Sequence, residues 1–291
     1  MANPTLPLNT GAKIPALGLG TWQSKLGEVR AAVAHALDVG YRHIDAAYCY
    51  GNEVEVGLGL KDGFASGKVK REDVFITTKL WCTYHTRVEQ NLDKSLELLG
   101  LDYVDLYLMH WPIAMNPNGN DEKFPKLLDG RRDLTPERKH VETYKDMEKL
   151  LATGKVKAIG VANYSLQYLN ELLPEVEVVP AVNQIENHPE LPQQEIVDFC
   201  QQKGIHITAY SPLGSTGSPL LSIPTITKIA ERKGVKPSAI LLSWHVQLDQ
   251  EDLKEIAALI KRVEKTGFKR YVYPEFGVDF GFPDKTRFRI A

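Results

Sequence analysis

The chain has 291 residues, of which 43% are hydrophobic and 25% charged, values typical of a globular protein with a sizeable core. Its net charge of −2 gives no reason to expect nucleic acid or an anionic membrane as a partner. It has three cysteines without CxxC spacing, no signal peptide and no apolar run of membrane-spanning length, so we expect a cytoplasmic protein with reduced thiols.

Short apolar runs alternate along the chain with longer segments of helical periodicity. A β-hairpin is predicted first, over Thr5–Ile14. The strands predicted after it are Ala16–Thr21, Arg42–Ala46, Val74–Lys79, Val104–His110, Ala158–Ala162, Val178–Gln184 and His206–Ser211. The helices predicted between and after these strands are Gly27–Asp38, Glu53–Phe64, Val88–Leu99, Val141–Ala152, Gln167–Leu172, Gln193–Lys203, Thr225–Lys233 and Ser238–Gln247.

This regular alternation predicts parallel strands joined by right-handed crossovers. No strand precedes a GxGxxG loop, which disfavours a doubly wound dinucleotide-binding fold. No linker of biased composition divides the chain. We therefore predict an α/β fold, a parallel (β/α)8 TIM barrel with an N-terminal β-hairpin, in a single domain over residues 1–291.

The eighth strand of that barrel is absent from the sequence. After the predicted helix that ends at Gln247, the residues Leu248–Asp252 indicate the N-cap and acidic first turn of a further helix. Seven strands in an open arc leave two unpaired edges, so we expect a poorly closed barrel. Two explanations are open: a true deletion, or a segment that the printed sequence omits.

Polar side chains occupy the carboxyl ends of successive predicted strands, where the active sites of βα barrels lie. Asp45, Lys79 and His110 end the second, third and fourth strands, and Tyr50 follows Asp45 in the loop that begins the next helix. Alone, each has a commoner explanation, such as a helix cap, a solvent-seeking lysine, a core histidine or a packed phenol. Buried Asp, Lys and His are rare unless paired, so packing alone does not explain the whole set.

These four residues are suited to carbonyl chemistry. Lys79 and Asp45 would form an ion pair that keeps both groups charged. The ammonium would lower the pKa of the Tyr50 phenol, which could then donate a proton to a carbonyl oxygen. His110 could donate a hydrogen bond to the same oxygen. The sequence therefore predicts a site for carbonyl reduction.

Glu186 and His188 are weaker candidates near the end of another strand. With Asp45 they could be metal ligands, but the proline-rich NHPELP turn that contains His188 favours a simple loop. An isomerase or hydrolase barrel would need paired carboxylates at strand ends, and only Asp45 and Glu186 are available. We expect no metal.

Long stretches of the sequence resemble the signatures of the aldo-keto reductase family. They are GYRHIDAAYCYGNEVEVG (Gly40–Gly57), ITTKLW (Ile76–Trp81), LDYVDLYLMHWP (Leu101–Pro112), GKVKAIGVANY (Gly154–Tyr164), VVPAVNQIENHP (Val179–Pro189) and ITAYSPLGS (Ile207–Ser215). The resemblance implies the same catalytic tetrad of Asp45, Tyr50, Lys79 and His110, with Tyr50 as proton donor and NADP(H) as cofactor.

The resemblance also implies a cofactor and substrate site. Tyr210 would stack on the nicotinamide, and Asn163 and Gln184 would hold its carboxamide. The other cofactor-binding residues implied are Thr21, Trp22, Asp45, Ser211, Leu213 and Ser215, and the substrate-binding residues implied are Trp22, Tyr50, Trp81, His110 and Trp111. The family's Lys-Ser-x-x-Pro-x-Arg loop, which grips the 2′-phosphate, is missing here with the eighth strand, in a segment of roughly two dozen residues.

Two segments would set the choice of substrate, the loop Asn116–Lys139 and the tail Gly267–Ala291. Their sequences resemble fungal glycerol dehydrogenases and glyceraldehyde reductases. The resemblance thus implies an NADP(H)-dependent monomer that reduces aldehydes and ketones, including glyceraldehyde, and oxidises glycerol or other polyols in reverse. The alternative is a catalytically impaired barrel that binds a nucleotide or a partner protein.

Overall fold

The computed structural model describes residues 4–25, 27–246 and 248–284. Gln247, the predicted end of one helix, and residues 285–291 of the predicted tail lie outside the described residues. No described helix has both the length and the apolar character needed to cross a bilayer.

A parallel sheet of seven strands forms the centre of the structure, and its neighbouring strands follow in chain order. After an antiparallel hairpin of β1 (Thr5–Pro7) and β2 (Lys13–Pro15), the strands of the sheet are β3 (Leu19–Gly20), β4 (His43–Asp45), β5 (Phe75–Leu80), β6 (Val104–Met109), β7 (Val156–Ala162), β8 (Val182–Glu186) and β9 (His206–Tyr210). The predicted parallel βα barrel is confirmed, as is the hairpin before it.

Nine α-helices accompany the sheet in the described part of the chain. They are α1 (Glu28–Asp38), α2 (Glu53–Ala65), α3 (Val88–Leu99), α4 (His140–Leu150), α5 (Leu166–Leu172), α6 (Gln194–Gln202), α7 (Pro224–Lys233), α8 (Pro237–Val246) and α9 (Gln250–Thr266). The first six alternate with the strands and cover the outside of the sheet, where the largest apolar core lies.

The hairpin closes the amino-terminal end of the barrel. Leu8 and Ile14 are buried in one cluster with the strand residues Leu106 and Val182. These apolar contacts leave the carboxyl ends of the strands as the open end of the barrel, where the predicted site residues lie.

The barrel is not closed by strand pairing. Among the described residues, β3 pairs only with β4 and β9 only with β8. Every residue of β9 is partly exposed, whereas every residue of β8 is buried. One side-chain contact joins the loops on the two sides, because the Thr216 hydroxyl donates to the Gln23 side-chain oxygen at 2.8 Å. The prediction of an open seven-stranded arc is therefore confirmed for the described part of the chain.

The last three helices pack around a core of their own. Ile226, Ile240 and Ile256, one from each of α7, α8 and α9, are buried there. The Asp249 carboxylate caps α9 by accepting the backbone N–H of Asp252 at 3.0 Å, which confirms the helix start predicted from the sequence. No described residue between α8 and α9 belongs to a strand.

The predicted strand Val178–Gln184 is displaced, because β8 begins at Val182. Pro180 has no N–H for a strand ladder, and the Asn9 side-chain amide donates to the Val179 carbonyl oxygen at 3.0 Å. These contacts hold residues 178–180 as a loop against the hairpin.

A buried histidine outside the site makes stability depend on pH. Burial, with the charge of Arg138, lowers the pKa of His85 to about 3, below the 6.5 of an unfolded histidine. The unfolded chain therefore gains a proton before the folded one, and stability falls as the pH drops below 6.5. Between pH 7 and pH 5, this effect should cost the wild type about 2 kcal/mol that His85→Asn does not lose. Urea unfolding of both proteins at both pH values measures the difference, and an identical pH dependence would contradict the prediction.

Candidate active site

The four predicted catalytic residues come together at the carboxyl ends of the strands. Asp45 ends β4, Lys79 lies one residue before the end of β5, and His110 follows β6 directly. Tyr50 closes a short 3-10 turn after β4. Gly51 follows with φ 72°, a left-handed conformation that favours glycine and lets the chain reverse into α2.

Lys79 is fully buried and joins the group through its ammonium. Its Nζ donates to Asp45 Oδ1 at 2.5 Å, to the Ala46 carbonyl oxygen at 2.8 Å and to the Tyr50 hydroxyl at 3.2 Å. Burial favours the neutral amine, but Asp45 and Tyr50 outweigh it and hold the pKa of Lys79 above its ordinary value. Lys79 therefore carries a positive charge next to the phenol.

The prediction that Lys79 lowers the pKa of Tyr50 overall is wrong for this structure. Burial raises the pKa of Tyr50 to about 12, although the charge of Lys79 opposes this rise. The phenol sits in a water-poor environment that disfavours the phenolate. Tyr50 is therefore protonated at neutral pH and available as a proton donor.

His110 lies beside Tyr50 with its ring edge-on, and the two ring centroids are 5.7 Å apart. Burial and the nearby charge of Lys79 hold the pKa of His110 well below its usual range. His110 is therefore a neutral imidazole, which carries one N–H donor. Its buried Nδ1 has no hydrogen-bond partner in the structure.

Polar side chains from both ends of the sheet also contact Asp45. The Gln184 amide, on β8, donates to Asp45 Oδ2 at 2.7 Å. The Thr21 hydroxyl, after β3, donates to the Asp45 carbonyl oxygen at 3.0 Å. Asn52, which was not predicted, donates to the Thr21 carbonyl oxygen at 2.8 Å and steadies that loop. Asp45, on the second strand of the sheet, thus contacts β8, the last strand but one.

Asn163 and Tyr210 lie next to this group. The Tyr210 hydroxyl donates to Asn163 Oδ1 at 2.8 Å, and the Asn163 amide donates to the His110 carbonyl oxygen at 2.9 Å. Asn163 adopts a left-handed conformation with φ 62°. Strained non-glycine residues of this kind concentrate at functional sites.

The loop after β9 contains the other predicted cofactor-binding residues. Ser211 and Ser215 adopt left-handed conformations, with φ values of 51° and 62°, and Ser218 follows with 47°. Such strain costs on the order of 1–3 kcal/mol per residue and is typical of ligand clamps. Leu213 of the same loop packs against the core of α7–α9.

An aromatic wall extends outward from His110. The Trp81 ring is 5.2 Å from His110 and 5.2 Å from Phe124, which belongs to the long loop. Trp111 packs on the tail, with its ring 5.7 Å from Phe276. Trp22, predicted to border the same pocket, is 44% exposed.

The two phenylalanines of this wall, Phe124 and Phe276, were not predicted from the sequence. The only signal for them was their place in the loop and the tail that were expected to set substrate choice. Their packing against Trp81 places both segments at the aromatic wall.

Glu186 and His188 hold the tail in place. Both are fully buried, and His188 Nε2 lies 3.0 Å from Glu186 Oε1. Glu186 also accepts the backbone N–H groups of Tyr271 at 2.6 Å and Val272 at 2.8 Å. Its carboxylate is fully engaged in these contacts, which explain its burial. No group of three or more potential metal-binding side chains occurs among the described residues.

A dinucleotide fits part of this arrangement. Asn163, Gln184 and Tyr210 are residue types that could hold a nicotinamide, although their polar groups now bind His110, Asp45 and each other, and the strained loop after β9 could hold a diphosphate. An additional phosphate would have fewer cationic partners, because Arg232 and Lys233 of α7 already form ion pairs with Asp252 and Asp249. A buried Lys–Asp pair beneath a protonated phenol, at the catalytic end of a βα barrel, defines a barrel oxidoreductase.

Comparison with known proteins gives the family. The sequence matches the Aldo/keto reductase family over residues 16–259, and the chain belongs to this family. An aldose reductase structure from Schistosoma japonicum superimposes with a TM-score of 0.79 at 37% identity, covering 89% of this chain and 92% of that one.

Two fungal relatives are more similar in sequence. The D-galacturonate reductase of Hypocrea jecorina is 58% identical, over 98% of this chain and 100% of the relative. The glycerol 2-dehydrogenase (NADP(+)) of Saccharomyces cerevisiae is 51% identical, over 83% of this chain and 78% of the relative. The alignment with the H. jecorina protein spans 310 positions, whereas this chain has 291 residues, so the relative contains residues that this chain lacks.

Proposed function

We propose that this protein uses NADP(H) to reduce the aldehyde group of small polyhydroxy compounds such as glyceraldehyde, and to oxidise glycerol or other polyols in reverse. The observation that carries the proposal is the contact of one buried ammonium, Lys79 Nζ, with both Asp45 and the protonated Tyr50. The names of the two fungal relatives support this substrate class, since D-galacturonate and glycerol are both polyhydroxy compounds.

The side chains of the tetrad would donate the proton of this reaction and stabilise the charge that remains. NADPH, when bound, supplies a hydride to the carbonyl carbon. The Tyr50 hydroxyl donates its proton to the carbonyl oxygen, and the ammonium of Lys79 stabilises the phenolate that remains. Asp45 keeps Lys79 charged. His110, because it is neutral, donates a hydrogen bond to the same oxygen and does not compete as an acid.

The residues that would hold the cofactor are unevenly distributed. Asn163, Gln184 and Tyr210 would position the nicotinamide, and Ser211 and Ser215 would contact the diphosphate. The loop that grips the 2′-phosphate in the family is not in the sequence. We therefore expect this chain to bind NADPH weakly and to prefer it little over NADH.

Two measurements test the proposed function. Oxidation of NADPH should depend on added glyceraldehyde, and tryptophan fluorescence should change on titration with NADPH alone. No binding at high micromolar NADPH would contradict the proposal. Binding without turnover of any aldehyde would favour the alternative of an impaired, nucleotide-binding barrel. We also propose that the protein acts as a cytoplasmic monomer, which sedimentation and fractionation can test.

A further inference from the structure

Arg132 occupies a fixed place at the outer end of the aromatic wall. It lies in the long loop, where its backbone pairs with that of Lys126 in an isolated antiparallel bridge. Its guanidinium carbon is 5.0 Å from the centre of the Phe124 ring and 5.9 Å from that of Phe276. Arg132 Nη1 also donates to the Phe124 carbonyl oxygen at 2.9 Å. These contacts hold the guanidinium over the two rings that the loop and the tail contribute to the aromatic wall.

The same two rings connect Arg132 with the catalytic residues. Phe124 and Phe276 both pack edge-on against Trp81, at 5.2 and 6.3 Å between ring centroids. Trp81 in turn lies 5.2 Å from His110. The guanidinium thus stands at one end of an aromatic surface whose other end is the site of proton transfer.

The guanidinium of Arg132 forms no ion pair within the described part of the chain. Among the described residues, no Asp or Glu forms an ion pair with it, whereas the exposed neighbour Arg131 pairs with Asp129 at 2.7 Å. The backbone N–H groups of Phe124 and Lys123, which donate to Asp121 Oδ1 at 2.6 and 2.8 Å, lower the pKa of Asp121, and the charge of Arg132 adds to this effect without an ion pair. A partly buried, unpaired guanidinium beside apolar rings is well suited to an anionic ligand, because its planar fork matches a carboxylate.

Two more cations of this loop, Lys123 and the exposed Lys126, have no ion pair among the described residues. Lys123 Nζ is 5.1 Å from the centre of the Tyr48 ring, and the Tyr48 hydroxyl donates to Glu122 at 2.6 Å. Glu122 also pairs with Lys94 of α3. The Lys123 backbone carbonyl accepts the Trp81 indole N–H at 2.6 Å, so Lys123 contacts the wall through its backbone, while its ammonium lies at Tyr48. Arg132, whose guanidinium itself lies over two rings of the wall, is therefore the best placed of the three.

We propose that Arg132 is a specificity-determining residue that binds a carboxylate of the substrate, and that the preferred substrates are aldehyde sugar acids with the carboxylate remote from the aldehyde. This inference rests on the proposed function and names its substrate class. The aldehyde lies at Tyr50 and His110, the carbon chain follows the aromatic wall, and the carboxylate meets the guanidinium. The relative from H. jecorina carries the name of a reductase for one such compound, D-galacturonate.

Two sugars that differ only at the far end test the assignment. D-galacturonate ends in a carboxylate and D-galactose in a neutral hydroxymethyl group. Arg132→Met should raise KM for D-galacturonate and lower its kcat/KM about 10- to 100-fold, with kcat/KM for D-galactose and glyceraldehyde changed by less than about twofold. Arg132→Lys should retain part of the preference, because it keeps the charge but loses the fork. Arg131→Met, next to it and exposed, is the matched control and should change nothing.

The outcomes separate this assignment from the proposed function. An equal fall for all three substrates in Arg132→Met would show that Arg132 only links the loop to the tail, and would overturn the proposal. Loss of the preference in Lys123→Met with Arg132→Met unaffected would overturn it too. A wild type that reduces glyceraldehyde but does not distinguish the two sugars also overturns it. A wild type that reduces no aldehyde contradicts the proposed function. The carboxylate site is then tested separately by titrating the protein with D-galacturonate alone. A fluorescence change that is absent in Arg132→Met supports the assignment, and the same change in both proteins overturns it.

Discussion

Replacing Tyr50 by phenylalanine should lower kcat for aldehyde reduction by about 10³-fold or more, since general acid catalysis by a positioned side chain contributes 10²–10⁴-fold. The phenol is fully protonated at neutral pH, because burial holds its pKa near 12, so the wild type always carries the proton that Tyr50→Phe removes. The ring itself remains in place against His110. NADPH binding, followed by tryptophan fluorescence, should therefore change by less than about twofold.

Tyr48 provides the matched control, since it lies in the same short turn and its hydroxyl donates to Glu122, away from Lys79. Tyr48→Phe loses one partly exposed hydrogen bond, worth about 1 kcal/mol of stability, and should keep its activity. Equal activity of Tyr50→Phe and the wild type would show that the proton comes from elsewhere. A loss of activity in both variants would point to damage of the turn, and circular dichroism of the two proteins would reveal it.

The fold was predictable because apolar periodicity and turn residues act locally. Each strand of the sheet overlaps the segment predicted for it, and the N-cap at Asp249 marks the start of α9 correctly. The errors arise where distant parts of the chain meet. The start of β8 depends on Pro180 and on Asn9 of the hairpin, a contact between residues far apart in sequence.

The candidate site was predictable in composition but not in electrostatics. Strand-end positions and family motifs both indicate Asp45, Tyr50, Lys79 and His110, and these side chains do lie together. The pKa of Tyr50 depends on the balance between burial, which raises it, and the charge of Lys79, which lowers it. The sequence indicates the charge but not the extent of burial. The unpaired state of Arg132 was hidden for a similar reason, because only the folded loop shows which cations find a carboxylate.

Because β3 and β9 are not paired with each other, we expect the chain to lose both stability and cofactor affinity. An edge strand leaves backbone donors and acceptors without sheet partners, and β9 is accordingly more exposed than β8. The loop after β9 carries the proposed diphosphate contacts. A strand paired with β9 would therefore affect both the stability of the sheet and the binding of the cofactor. Stability and cofactor affinity should therefore rise together when the missing strand is supplied.

Grafting, between Gln247 and Leu248, an eighth strand and the Lys-Ser-x-x-Pro-x-Arg loop that the family resemblance implies tests this expectation. A strand paired on both sides adds several backbone hydrogen bonds of about 1 kcal/mol each, so Tm should rise by about 10 °C. The Lys and Arg of the loop that follows this strand in the family should increase NADPH affinity about 10- to 100-fold more than NADH affinity, because only NADPH carries the 2′-phosphate. Differential scanning calorimetry and fluorescence titration with both cofactors measure the two effects.

A second graft, with that Lys and Arg changed to glutamine, separates closure of the barrel from recognition of the phosphate. It should raise Tm as much as the first graft and strengthen the binding of both cofactors equally, without a preference for NADPH. If neither graft changes Tm, the described arc is already as stable as a closed barrel, and the unpaired edges of β3 and β9 cost nothing measurable. If the first graft raises Tm but leaves the two cofactors equal, the inserted Lys and Arg do not bind the 2′-phosphate, and that part of the prediction is wrong.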